Sequence, residues 1–292
     1  MVLCIFYLSC SLNRFPLFNI PDISDSLVFK NGVWYSKKKS SVSYPDEGND
    51  LCFLVEDNSF WFKHRNACII DMIRNYPPGG EIFDIGGGNG FVAAGLEANG
   101  YKTILVEKGE NGIKNAKTRN INNLVCSTFE NAGFRKDSLP AAGLFDVLEH
   151  IKDDLYFLRT IKEALKIKGK LYLTVPALSS LWTPEDRISG HYRRYSKKAI
   201  LDLLASAGFK TEYCTYFFFS LVIPVFILKV IPHKLGLLNE PRDLQNLAVQ
   251  HKQSKKILKS LFGAFFALES GIIRSRRKIP FGSSLLISAV KK

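Results

Sequence analysis

At 292 residues the chain is long enough to bury a substantial core, as one large domain or two modest ones. Its 46% hydrophobic and 23% charged content excludes an intrinsically disordered protein, and six scattered cysteines without a CxxC pair exclude a zinc ribbon or a disulfide framework. The formal net charge of +13 favours an anionic partner, nucleic acid or a phospholipid surface, although excess lysine also serves solubility.

Residues 1–11 are apolar but lack a basic start and a small-residue cleavage site, which argues against a cleaved signal peptide and for a cytoplasmic protein. Residues 1–58 read as an irregular N-terminal leader with turn formers at Pro16, Pro21, Gly32 and 44–49, and with Lys37, Lys38 and Lys39 in a solvated loop. A helix begins at Phe60, since Phe62, Cys68, Ile69, Met72 and Ile73 fall largely on one side, and Pro77-Pro78-Gly79-Gly80 ends it. Its first turns offer Trp61 and Arg65 as acceptor contacts. The alternative buries the aromatics against a sheet and leaves Lys63 and Arg65 in solvent.

The stretch Glu81-Ile82-Phe83-Asp84-Ile85-Gly86-Gly87-Gly88-Asn89-Gly90 is an apolar strand that runs into a glycine turn and then a helix near Phe91. Gly86, Gly88 and Gly90 free the backbone for positive φ and leave its N–H groups open to a ligand, with the Asp84 carboxylate aimed at the turn. A dinucleotide-binding loop would carry glycine where this chain has Phe91. Beyond the loop the chain alternates: strands at 102–106, 123–127, 141–146 and 169–175, helices at 109–119 and 153–167. A helix over 196–207, a strand at 210–218 and a final strand at 282–290 complete the pattern.

Asp84-Ile85-Gly86-Gly87-Gly88-Asn89-Gly90 resembles the acidic-x-Gly-x-Gly-x-Gly motif of class I S-adenosylmethionine-dependent methyltransferases. The resemblance implies a three-layer, Rossmann-like α/β fold, with seven mostly parallel strands and an antiparallel last strand. A methyltransferase domain over 59–219 and 281–292 is then interrupted by a hydrophobic and basic helical insertion at 220–280. S-adenosylmethionine would be held by Asp84, the loop glycines and Asn89, with Glu107 at the next strand end accepting hydrogen bonds from both ribose hydroxyls. Thr128 stands where the family often has a carboxylate, Phe129 would line the adenine pocket, and Phe145 and Asp146 complete the wall.

Asp146-Val147-Leu148-Glu149-His150-Ile151 resembles the D-V-L-E-H-I segment of this superfamily at the mouth between cofactor and acceptor. Glu149, His150 and the distant His191 are the expected catalytic groups; a histidine near neutrality suits proton removal from a hydroxyl. The bland reading has Glu149 capping locally and His150 bracing the loop. Asp146-x-x-Glu149-His150 with His191 also resembles the pattern of magnesium-dependent small-RNA 2′-O-methyltransferases, which would make Glu149, His150 and His191 ligands of Mg²⁺. Arg193 and Arg194, bracketed by Tyr192 and Tyr195, can bind a phosphate or carboxylate of the acceptor or form a solvated basic turn.

The run 216–228 is uncharged, too short to span a bilayer and broken by Pro224; a second apolar run, 257–268, lies between Lys255, Lys256 and Lys259 and the group Arg274, Arg276, Arg277 and Lys278. Apolar helices with a basic rim fit peripheral contact at the inner face of the membrane, and equally a helical subdomain or dimer interface. No nucleic-acid-binding module accompanies the charge. The expected function is methylation of an oxygen on a small-molecule acceptor of lipid-linked, quinone-like or glycan type. The alternatives are an RNA methyltransferase and a cofactor-binding module without catalysis.

Overall fold

The computed structural model describes residues 19–38, 46–237 and 256–292. Nine strands form one sheet, in the order β1-β2-β5-β4-β3-β6-β7-β9-β8. The central strands are β3 (Ile82–Ile85), β4 (Thr103–Glu107) and β6 (Leu139–Phe145), every residue of which is buried. Such runs cannot face water on either side, so helices must cover both faces and the strands run parallel. β5 (Leu124–Cys126) and β7 (Leu165–Pro176) extend the parallel block outward. β9 (Ser284–Lys291) pairs antiparallel with both β7 and β8 (Phe209–Phe217), as expected of the last strand.

The expected seven strands become nine because the leader is not irregular throughout. β1 (Leu27–Lys30) and β2 (Val33–Ser36) form a hairpin, and β2 pairs parallel with β5 through Trp34 and Tyr35. Its turn is Asn31-Gly32, with φ of 50° and 80°, the geometry that lets a two-residue turn follow the twist of its strands. Helix α1 (Asp46–Glu56) follows, again inside the expected leader. Residues 1–18 and 39–45 of that leader, with Pro16, Lys39 and the start of the expected 44–49 turn, lie outside the described residues.

One face of the sheet carries α5 (Phe129–Ala132), α6 (Asp154–Ala164) and α8 (Lys197–Ser206), whose Phe129, Phe157, Ile161, Ile200 and Leu204 share a core cluster. The other face carries α2 (Phe60–Asn75), α3 (Phe91–Glu97) and α11 (Lys256–Arg274), packed through Ile69, Met72, Leu96, Phe266 and Ile273. α4 (Glu110–Thr118) seats Ile113 and Ala116 against Leu105 and Leu124. α7 (Pro184–Ile188) follows β7.

Much of the described part of the expected insertion is helical. α9 (Phe219–Val225) contains Pro224, a π-helical turn occupies Phe226–Val230, and α10 (Ile231–Lys234) continues it. A proline removes an N–H from the helical ladder, and a widened turn just after it is a common accommodation. Among the described residues no helix is long and apolar enough to cross a membrane.

Candidate active site

β3, β4, β5 and β6 end at one level, Ile85 beside Val106 and Glu107 beside Cys126, and the chain leaves β3 for β4 on one side while β6 lies on the other. Such a switch point opens a crevice at the carboxyl ends of the strands. The glycine loop lies there. Gly86, Gly88 and Gly90 have φ of 68°, 53° and 73°. A Cβ on Gly87 would overlap the Leu105 side chain, so the loop is closed to side chains at its centre as well.

Two buried carboxylates face this loop. Glu107 Oε2 accepts the N–H of Gly88 at 3.0 Å and Oε1 that of Gly109 at 2.7 Å; burial still pushes its carboxyl up. Asp84 is 1% exposed, and its Oδ2 has no hydrogen-bond partner among the described residues. Burial raises the Asp84 carboxyl to about 7, Arg65 opposes that rise and Glu107 adds to it. An unsatisfied buried acceptor beside a loop that no side chain can enter fits a polar, cationic ligand lying along the main chain.

The remaining expected cofactor contacts have other duties. Asn89 is buried and donates to Asn49 O at 2.8 Å and Glu56 Oε1 at 3.2 Å, while its Oδ1 accepts from Asn115 at 3.0 Å. It ties α1 to the loop. Thr128 accepts the Asn131 N–H at 3.2 Å as the N-cap of α5. Phe129 points into the core, its ring 5.4 Å from Phe134 and 6.2 Å from Phe157, because helix α5 starts there and turns it beneath the sheet. Phe145 alternates away from the crevice into the cluster with Ile69 and Tyr172. Phe129 and Phe145 are thus buried in the core layers, while Thr128 is half-buried with its hydroxyl engaged as a cap.

Helix α1 lies over the loop. Asn49 is buried against Gly88, Asp50 accepts from Asn111 at 2.9 Å and Asn115 at 3.2 Å, and Arg119 pairs with Glu56 at 3.0 Å and Asp57 at 2.5 Å. The leader reading missed this helix; the spacing Cys52, Val55, Glu56 after a run of acidic residues is a faint helical signal.

At the other end of the crevice Asp146 has φ of 58°, uncommon for a residue other than glycine, and is held by Thr174 Oγ1 at 2.8 Å and by an ion pair with Arg65. Arg65 is therefore neither in solvent nor a free cation for an acceptor anion; its guanidinium lies 5.0 Å from the Trp61 ring. Trp61 itself stacks on Phe218 at 5.3 Å.

Glu149 is 1% exposed, with Oε2 lacking a partner among the described residues. Burial first, and Asp146 second, hold its carboxyl well above the usual range. His150 is pushed down to about 4 by burial and by His191. His191 donates from Nδ1 to Asp186 at 2.9 Å, its ring perpendicular to that of His150 at 4.7 Å. One ligand atom each from Glu149, His150 and His191 lie within 4.8 Å of one another. The Tyr192 N–H, donating to Glu149 O at 2.8 Å, brings the two chain segments together.

Arg193 and Arg194 do not face outward as acceptor clamps. Arg193 pairs with Asp154 at 2.5 Å and donates to Lys152 O at 2.8 Å. Arg194 grips Asp186 through Nε at 2.9 Å and Nη2 at 3.0 Å. Both are consumed by carboxylates from elsewhere in the fold. Asp186, absent from the sequence expectations, is thus the hub of this loop: burial would raise its carboxyl, but His191 and Arg194 hold it below the ordinary value. The Thr183-x-x-Asp186 capping box is the signal that marks it.

Residues 62–213, just over half of the chain, match the family model described as a methyltransferase domain. A solved S-adenosylmethionine-dependent methyltransferase from Thermotoga maritima superposes with a TM-score of 0.50 at 18% identity, covering 84% of this chain and 100% of that one. A chain from a complex of a Haloferax volcanii methyltransferase activator with a methyltransferase superposes with a TM-score of 0.53 at 14% identity, covering 84% and 96%. No curated protein matches the sequence significantly.

Proposed function

The chain belongs to the class I S-adenosylmethionine-dependent methyltransferase family, and we propose that it methylates a hydroxyl oxygen on a lipid-linked, quinone-like or glycan-type acceptor. The observation that carries the choice of oxygen is the convergence of Glu149, His150 and His191 beside the crevice. When bound, S-adenosylmethionine supplies a methyl group on a sulfonium, so the leaving group needs no protonation. The work left to the chain is alignment and removal of one proton.

Glu107 and the Gly86–Gly90 loop hold the adenosine side, and ionised Asp84 offsets the cofactor's positive charge. Asp186 fixes the proton of His191 on Nδ1, which leaves Nε2 as the basic nitrogen. The acceptor oxygen uses a lone pair to form the new bond to carbon as the carbon–sulfur bond breaks, and His191 Nε2 takes the hydroxyl proton. His150, uncharged near neutrality, adds no cation to repel the cofactor.

The orphaned Glu149 Oε2 favours a second way of activating the acceptor, in place of proton transfer to His191: a divalent ion held by Glu149, His150 and His191 Nε2. Bound there, such an ion lowers the pKa of an acceptor hydroxyl. Asp146 is already engaged by Arg65 and Thr174, so the donor set is one carboxylate and two imidazoles. That set suits a borderline transition metal rather than Mg²⁺, which prefers oxygen ligands.

Transfer of labelled methyl from the cofactor into separate acceptor pools tests the reading. Label recovered as an ether in lipid, quinol or glycan fractions supports it. Label that enters RNA alone overturns the acceptor class, and cofactor binding with no transfer into any pool overturns catalysis.

A further inference from the structure

Helices of folded domains usually turn an apolar stripe inward and a charged face outward. The segment 219–237 and helix α11 do not. From Phe219 to Leu228 there is no charged residue, yet Ile223 and Leu228 are 66% and 68% exposed, and Leu237 beyond them is 72% exposed. Along α11 from Phe262 to Ile273 the single charged residue is Glu269, which is fully buried, so the outer face presents Phe265, Leu268 and small residues to the surroundings. Phe219 joins the two segments, its ring 5.8 Å from Phe265 and 6.2 Å from exposed Phe281. Most of the exposed large apolar side chains among the described residues belong to this one region.

We propose that this face is an interfacial docking surface for an anionic lipid bilayer. The choice of occupant rests on charge. Lys234 at one end of the patch, and Arg274, Arg276, Arg277 and Lys278 at the other, are all exposed. Apolar side chains entering the acyl boundary, with lysine and arginine at headgroup level, are what lies stably in that interface. A second copy of this chain would bring the same basic residues against one another across a two-fold axis, and like charges disfavour that pairing. A nucleic acid has no use for the apolar part.

The face is also fixed to the catalytic rim. Lys229 turns inward to Glu185 at 2.7 Å, and Glu185 neighbours Asp186, the residue that orients His191. Glu269 accepts the N–H groups of Phe218 at 2.9 Å and Phe219 at 2.5 Å, and His64 Nε2 at 2.6 Å, which locks α11, α9 and α2 together. A chain docked on this face therefore holds its acceptor mouth close to the lipid surface. The proposal does not rest on the acceptor reading, because it is tested without turnover.

The test is co-sedimentation of the full chain with vesicles of phosphatidylcholine alone or mixed with phosphatidylglycerol, at low and physiological salt. The wild type is expected to pellet with the anionic vesicles and to be weakened by salt. Ile227→Asp/Leu228→Asp and Arg277→Glu/Lys278→Glu are each expected to reduce binding at least tenfold while cofactor titration is unchanged, since all four residues lie away from the glycine loop. Equal sedimentation of wild type and variants, or none with either vesicle, overturns the proposal. Sedimentation-velocity dimerisation abolished by Ile227→Asp/Leu228→Asp, without vesicle binding, assigns the face to a second copy and overturns it too.

Discussion

Glu107 accepts the main-chain N–H of Gly88 from across the crevice, a 3.0 Å bond between the end of the second parallel strand and the loop that follows the first. The carboxylate thus shapes the loop before any cofactor arrives.

Glu107→Ala is therefore expected to weaken S-adenosylmethionine binding by about 10- to 100-fold, since a hydrogen bond to a charged group contributes about 1.5–3 kcal/mol. Isothermal titration calorimetry reads this directly. Unchanged affinity in a folded variant would remove Glu107 from the cofactor site.

Asp84 titrates near 7 because it is buried. The sign follows: a carboxyl whose folded pKa is raised above its unfolded value of 3.8 favours the folded state at low pH, and that contribution is lost as pH rises towards 7. A cationic cofactor favours the ionised form, so binding at pH 6 is expected to release a proton. Titration heats should then vary with buffer ionisation enthalpy, and Asp84→Asn should abolish that variation. Heats independent of buffer in the wild type would contradict it.

His191→Ala is expected to lower kcat by about 100-fold or more, the usual scale of acid–base assistance, and His150→Ala to lower it less, while cofactor affinity changes little in either. Equal losses in turnover and affinity would mark the pair as structural braces. Dialysis against a chelator, followed by Mn²⁺, Zn²⁺ or Mg²⁺, reads the divalent-ion addition: restoration by Mn²⁺ or Zn²⁺ above Mg²⁺ is the outcome expected from the donor set.

Glu269→Ala is expected to cost about 3 kcal/mol in urea unfolding, because it strands two backbone N–H groups and the His64 imidazole in a buried aromatic setting. Glu269→Gln keeps an acceptor and should cost about half as much. A change below about 0.5 kcal/mol for Glu269→Ala would mean that water reaches the cluster.

The parallel core was legible because its strands are largely continuous apolar runs, so 81–85, 102–106 and 141–146 fall within two residues of β3, β4 and β6. The β1–β2 hairpin was not, although Asn31-Gly32 marks its turn: four-residue strands with one buried residue each give almost no alternation to read. Arg193 and Arg194 look like a free basic pair in one dimension. Their partners Asp154 and Asp186 are separate in the chain and meet them only through tertiary packing. The layer into which Phe129 and Phe145 turn was not legible either, since an aromatic just before or after a strand end can pack on either face and local pattern does not say which.

The position of β9 has a consequence for the order of assembly on the ribosome. β8 cannot close against β7 until the strand that joins them, Ser284–Lys291, has been made, well after β8 itself. At roughly 5–20 residues per second, the interval between β8 and β9 leaves two apolar strand edges open for seconds. Nascent chains stalled in that interval are the ones that chaperones would meet, and loss of β9, which sits between two strands, would injure the fold more than loss of the β1–β2 hairpin at the opposite edge.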